Sequence, residues 1–244
     1  MNEQTTRPDA PVALITGAGR GIGRAIAAAL FKRRYRLVLV SRSDVDLRAT
    51  AATLDAPSDA TFIAPADVAR AGDLERVVEA TIARFSRLDA VIHNAGYGPV
   101  LTIEQTTADE WSRVIDTNLT AAAMLARLAW PIFKRQGGGV LVNISSLAAV
   151  DPFPGFAAYG AAKAGLHTLG LALAREGDAD GIRVHTIAPG AVETEMFRTL
   201  RTPEQWPRSK CLEPAEVADV VALCVAGDLR YTSGQVIYLR KNAT

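Results

Sequence analysis

The sequence predicts an α/β protein, a single domain built on a doubly wound parallel sheet of seven strands with helices on both faces. Seven short β-rich apolar runs alternate with Ala- and Leu-rich helical stretches along the whole chain, as in a parallel sheet with right-handed crossovers. Most of these runs are apolar without a break, as strands covered on both faces are. A glycine cluster, TGAGRGIG at 16–23, follows the first run and opens a helical stretch.

In chain order, the strands are expected at VALIT (12–16), RLVLV (36–40), TFIA (61–64), DAVIH (89–93), GVLVNIS (139–145), IRVHTIA (182–188) and QVIYL (235–239). Helices are expected between them at about 20–34, 44–54, 71–85, 107–135, 156–177 and 213–226. Residues 1–10, MNEQTTRPDA, are polar and read as a disordered tail ahead of one domain spanning 11–244. The irregular stretch is 189–212, PGAVETEMFRTLRTPEQWPRSKCL, whose three prolines and mixed charge do not suit a core element. A connection of that length in a compact domain is usually a substrate-binding lid; a passive surface loop is the alternative.

The 244 residues are 49% hydrophobic and 22% charged with a net charge of +1, enough for one sizeable core. So even a balance gives no electrostatic footprint for nucleic acid or an anionic membrane. No apolar run is long enough to span a bilayer, and the N-terminus lacks the apolar segment of a signal peptide. A cytoplasmic location is therefore expected. Cys211 and Cys224 make no disulfide framework and are expected to be reduced. His93, His167 and His185 show no metal-ligand spacing, so no metal site is expected.

The glycines of 16–23 have a chemical use. At a strand-to-helix turn, Gly17, Gly19, Gly21 and Gly23 let the backbone approach a pyrophosphate and aim amide N–H groups at it, while the helix N-terminus adds partial positive charge. Their spacing departs from G-x-G-x-x-G, and a tight turn without a ligand is the alternative. At the end of the second strand, where an NAD site usually has an acidic residue, stand Ser41 and Arg42, with Arg20 inside the glycine turn. Two guanidinium groups beside the adenosine ribose suit a 2′-phosphate, which favours NADP(H) over NAD(H); the alternative is that both are simply solvated.

YGAAK, residues 159–163, places a phenol and an ammonium at i and i+4 on one helix face. A cation about 4 Å from a phenol is expected to lower its pKa from about 10 towards the working range, with desolvation opposing. Gly160, Ala161 and Ala162 between them are expected to let a coenzyme lie close to the helix. NISS (143–146) closes the fifth strand at the carboxyl edge of the sheet, where open α/β sheets bind ligands, so Ser146 can donate to a substrate oxygen.

Taken in order, TGAGRGIG, DV (67–68), HNAG (93–96), Asn118, NISS, YGAAK and PGAVET (189–194) make the sequence similar to the short-chain dehydrogenase/reductase family, over about residues 11–239. The resemblance implies a three-layer, Rossmann-like nucleotide-binding fold and an NAD(P)(H) coenzyme. It also implies hydride transfer between nicotinamide and a ketone or secondary alcohol. By position it makes Tyr159 the general acid in reduction and the base in oxidation, with Lys163 holding the nicotinamide ribose. Ser146 would orient the substrate carbonyl, and Asn118 would support a water in a proton relay. Asp67 and Val68 match adenine contacts, and Asn94, Ala95 and Gly96 would line the coenzyme. Pro189, Gly190, Val192 and Thr194 match the nicotinamide-binding segment, and Ile22 belongs with the pyrophosphate turn. Two departures stand out: His93, where the family often has Asn or Val, is read as packing, and the ending YLRKNAT replaces the family's V-D-G-G.

Tyr97, Leu147, Phe153, Val192, Met196, Phe197 and Trp206 are expected to face the substrate, with Arg198, Arg201, Arg208 and Lys210 on the irregular segment nearby. That mixture suits a hydrophobic ketone or an acyl chain carrying phosphate. A 3-oxoacyl thioester on an acyl carrier is one candidate, with Arg135 and Arg175 meeting the acidic carrier; a solvated basic face is the alternative. Helices 107–135 and 156–177 are apolar on more than one face. The family pairs these helices across a two-fold axis, so a homodimer or homotetramer is expected. Competing readings are an NAD-dependent alcohol dehydrogenase of the same family, a sugar-nucleotide epimerase or dehydratase, and a non-catalytic nucleotide-binding regulator. Only 50 residues follow PGAVET, too few for the epimerases' substrate domain.

Overall fold

The apolar runs become the strands β1 (Val12–Thr16), β2 (Arg36–Ser41), β3 (Thr61–Pro65), β4 (Ala90–His93), β5 (Gly139–Ile144), β6 (Ile182–Pro189) and β7 (Val236–Leu239) of one parallel sheet. This is a computed structural model describing residues 9–241, so most of the expected disordered tail, 1–8, lies outside the described residues. The helices are α1 (Gly21–Lys32), α2 (Asp44–Thr53), α3 (Ala71–Phe85), α4 (Ala108–Ile115), α5 (Ala121–Gln136), α6 (Ala157–Gly177), α7 (Glu195–Leu200) and α8 (Pro214–Ala226).

The strand order is β3-β2-β1-β4-β5-β6-β7. From β1 the chain winds outward to β3, then crosses back and places β4 on the other side of β1. That reversal opens a crevice at the carboxyl ends of β1 and β4. Alternation along the buried strands feeds two cores. Ile15, Leu37 and Ile92 pack with α1 and α8 on one face, whereas Leu14, Val38 and Val91 pack with α3 and α5 on the other.

Local chemistry sets the helix starts. Ser43, Thr107 and Thr194 accept from Asp46 N–H, Glu110 N–H and Phe197 N–H, so α2, α4 and α7 each begin at a hydroxyl cap. Helix α8 begins with Pro214 and a reciprocal Glu213/Glu216 box.

Two expectations are corrected. The helix expected at 107–135 is α4 and α5 joined through a π-helical stretch, Asp116–Thr120, which contains Asn118. Such one-turn widenings are frequent at functional sites. The segment 189–212 is not wholly irregular: Pro189 ends β6, and the capped helix α7 lies inside it. The sequence hid α7 because six residues carry too little periodicity to register. Among the described residues, no helix is long and apolar enough to cross a membrane.

Candidate active site

At the crevice, β1 hands over to α1 through the glycine turn. Gly17 (φ +65°) and Gly21 (φ +51°) hold left-handed conformations that other residues rarely adopt. Asn94 locks the turn from the neighbouring strand end, its Nδ2 donating to the Thr16 and Gly17 carbonyls at 3.0 and 3.2 Å. Helix α1 has no side-chain cap and no acidic residue in its first turn. Its leading N–H groups thus face the crevice with their partial positive charge uncompensated.

A cavity of about 610 Å³ runs from this turn to α6 and the 189–212 segment. Gly17, Gly19, Arg20, Gly21 and Ile22 line one end with Ser41, Arg42, Asp67 and Val68. Asn94, Ala95 and Gly96 form the middle; Ser146, Tyr159, Lys163, Pro189, Gly190, Val192 and Thr194 complete the wall. Two candidates stand behind it instead. A Cβ at Gly23 would come within 2.0 Å of the Gly17 carbonyl oxygen, so this glycine allows the close packing of α1 on the turn. Asn118 is fully buried; its Nδ2 donates to the Tyr97 and Val114 carbonyls at 2.6 and 2.8 Å. It fixes the loop after β4 from beneath.

Lys163 and Tyr159 do share a face of α6, with Nζ 5.5 Å from the phenol ring centre. The ammonium, however, donates to the Ile144 carbonyl at 2.8 Å, behind the phenol. Burial pushes the Tyr159 hydroxyl up to about 12, and a hydrogen bond with Ser146 offsets only part of this. The expected lowering by Lys163 is corrected: burial dominates the phenol, and the group that opposes it is Ser146. Burial likewise lowers Lys163 to about 7. The small residues of YGAAK are corrected too. Gly160 packs against the Ala148 carbonyl and Pro152, Ala162 is buried in the core, and Ala161 faces outward. The small residue that meets the phenol is Gly98, where a Cβ would lie 2.7 Å from the Tyr159 ring.

Sequence reasoning missed several participants. Ser145 donates to the Lys163 carbonyl at 2.9 Å and bonds His167 Nε2 at the same distance, tying α6 to the end of β5. The paired serines of NISS were the available signal. Phe156 stacks 5.1 Å from the Tyr159 ring, and Arg113 lies over the Tyr97 ring at 4.1 Å; both line the cavity. His93, expected only to pack, bonds the Asn118 carbonyl through Nε2 at 3.3 Å, while its buried Nδ1 has no partner.

The residues expected at the substrate all reach the wall: Tyr97, Leu147, Phe153, Val192, Met196, Phe197 and Trp206. Of the cations expected beside them, Arg201 alone lines the cavity. Arg198 is paired with Glu193 and Arg208 with Glu213, while Lys210 lies over the Trp206 ring at 6.0 Å.

A switch-point crevice with an uncapped helix start, continuous with a phenol, a serine and a lysine, defines a dinucleotide-binding α/β protein with acid–base groups beside its coenzyme crevice. The chain belongs to the short-chain dehydrogenase/reductase family, residues 11–205 matching the family described as short chain dehydrogenase. It is 32% identical to a 3-oxoacyl-[acyl-carrier-protein] reductase of Synechocystis sp., covering 93% of this chain and 94% of that one. Identity is 30% to the corresponding reductase FabG of Staphylococcus epidermidis, covering 93% and 96%. The solved 3-ketoacyl-(acyl-carrier-protein) reductase from Brucella melitensis, complexed with NADH, superposes with a TM-score of 0.89 at 28% identity, covering 95% and 97%. Levodione reductase superposes at 0.87 with 30% identity, covering 95% and 96%. The protein is an oxidoreductase that uses a nicotinamide coenzyme.

Proposed function

We propose that the protein is an NADP(H)-dependent carbonyl reductase, acting on a ketone or a 3-oxoacyl thioester. The observation that carries this reading is the hydroxyl pair of Tyr159 and Ser146, both in the wall of one cavity, with Lys163 buried beside them.

The crevice fits a dinucleotide. The first amides of α1 are open to an anion, and at Gly21 (φ +51°) a Cβ would also press on Thr194 Cγ2 at 3.2 Å. Gly17, Gly19, Gly21 and Ile22 would hold the pyrophosphate, Asp67 and Val68 the adenine, and Thr194 with Pro189, Gly190 and Val192 the nicotinamide. Arg42 is exposed at the adenosine end and forms no ion pair among the described residues, so its fork is available to a 2′-phosphate. When bound, the coenzyme supplies the hydride.

The chain's own residues supply the proton and the hold on the oxygen. A phenol near 12 is almost wholly protonated at neutral pH, the form a proton donor needs. As the carbonyl oxygen gains negative charge it becomes the stronger base. Tyr159 then transfers its proton, and Ser146 Oγ donates a hydrogen bond to the same oxygen. Lys163 spends one N–H on Ile144, and its other donors are free for ribose hydroxyls. Asn118 and His93 brace the loop that faces them.

The similarity to 3-oxoacyl-[acyl-carrier-protein] reductases favours an acyl thioester among the substrates. The exposed faces of α5 and α6 form an apolar groove lined by Ala126, Trp130, Leu169 and Leu173, which supports pairing with a second copy as a dimer or tetramer. Cys211 and Cys224 are buried and unpaired, in keeping with the cytoplasm. The experiment is Tyr159→Phe with NADPH and a ketone panel. Turnover should fall by about a hundredfold or more while NADPH still binds; undiminished turnover removes the phenol from the reaction.

A further inference from the structure

From Tyr159 an unbroken series of rings leads along the substrate end of the cavity. Phe156 stands 5.1 Å from the Tyr159 ring, Phe153 stands 5.4 Å from Phe156, and the Arg201 guanidinium carbon lies 5.4 Å over Phe153. All four residues line the cavity. Arg201 is half-buried at the end of α7, and its side chain donates to the neighbouring Leu200 carbonyl at 3.2 Å. Among the described residues no carboxylate pairs with it. Glu193 is taken by Arg198 and Glu195 by Arg20, and the wall's remaining carboxylate on this side, Asp151, makes no ion pair with it.

A guanidinium half-removed from water and facing a cavity without a counter-charge favours an anion that enters the cavity. The Phe153 ring holds the fork's plane, so little order is lost when that anion binds. The rings between Arg201 and Tyr159 offer apolar surface and no hydrogen-bonding group along the way.

We propose that Arg201 selects an anionic substrate: an oxo-acid whose carbonyl lies against Tyr159 and Ser146 while its carboxylate, at the far end of an apolar chain, meets the guanidinium. This rests on the carbonyl-reductase reading and names the substrate class for it. Arg201 is a specificity residue here, remote from the reacting carbonyl, so its removal should raise KM and leave kcat close to the wild-type value.

The test measures NADPH-dependent reduction of oxo-acids of increasing chain length, with their methyl esters and ω-phosphates, by wild type, Arg201→Gln and Arg201→Lys. Wild type should prefer acid over ester by about 10–100-fold in kcat/KM, the size of a charge-assisted hydrogen bond, with an optimum chain length. Arg201→Gln should bring acid and ester to within about twofold through KM, and Arg201→Lys should keep part of the preference. Equal use of acid and ester by wild type, or a preference that survives in Arg201→Gln, overturns the assignment. A phosphate used better than the carboxylate also overturns the oxo-acid and leaves an anionic thioester handle in its place. Neutral ketones serve as the control. If wild type reduces neither the oxo-acids nor the neutral ketones, the carbonyl-reductase reading itself fails; if wild type and variants reduce neutral ketones equally, a negative result falls on Arg201 alone.

Discussion

The Arg20 guanidinium donates to the Glu195 carboxylate at 2.8 Å, joining the glycine turn after β1 to the first turn of α7. The two residues are 175 positions apart in the chain. Both side chains are largely exposed, so the pair adds little to stability. Its interest is that it ties the glycine turn to the α7 segment across the cavity.

A 2′-phosphate bound by Arg20 must compete with Glu195 for it. Glu195→Gln should therefore tighten NADPH about two- to fivefold relative to NADH, the range of an exposed ion pair. Arg42→Asp should do the reverse and move the preference towards NADH. Ratios of dissociation constants from coenzyme fluorescence decide both, and two unchanged ratios would argue for NAD(H).

Lys163 titrates near 7 because it is buried, against about 10.4 for an unfolded lysine. Between those values the unfolded chain holds the additional proton. The penalty for burying the ammonium is therefore full below pH 7 and fades as pH rises towards 10.4. Lys163→Met should raise the urea midpoint at pH 6, by a few kcal/mol in stability, and much less at pH 10. A gain independent of pH would show that the ammonium is not its source.

His93 is held down to about 3, first by burial and then by the Lys163 charge; burial and Arg183 hold His185 near 4. Both are neutral in the folded protein. Their contribution is complete above about 6.5, the unfolded value, and is lost as pH falls through the folded ones. His93→Gln should accordingly lose less stability than wild type between pH 7 and pH 4.5, by roughly 2–3 kcal/mol. Parallel urea titrations at the two pH values measure the difference.

Two glycines should respond oppositely to alanine. At Gly23 a Cβ would meet the Gly17 carbonyl oxygen at 2.0 Å, so Gly23→Ala should cost about 3 kcal/mol or more. At Gly72, in the first turn of α3, nothing lies within 4 Å, and Gly72→Ala should stabilise by about 0.4–1 kcal/mol. Chemical denaturation settles both.

The strands and the long helices were legible because each imposes a period on the chain. VALI and LVLV, within β1 and β2, are short continuous apolar runs, as expected of strands covered on both faces. Helix α7 and the π-helical stretch around Asn118 were not, since a few residues without a repeat look like any polar loop. Among the candidate site residues, those at strand ends line the cavity, as their position at the carboxyl edge of the sheet predicts. The roles of Gly23, Asn118 and Gly160 came out differently because a residue type does not say which way its neighbours crowd.

By itself the sequence determined the order of strands and helices, the glycine turn after β1 and the presence of a phenol, a serine and a lysine at the carboxyl edge of the sheet. Hydrophobic period and turn chemistry are local properties, readable in one dimension. The tertiary structure decided the electrostatics: that burial raises Tyr159 instead of Lys163 lowering it, and that Arg198 and Arg208 are paired while Arg201 faces the cavity. Solvation and ion pairing depend on what surrounds a group in space, and those neighbours come from far along the chain.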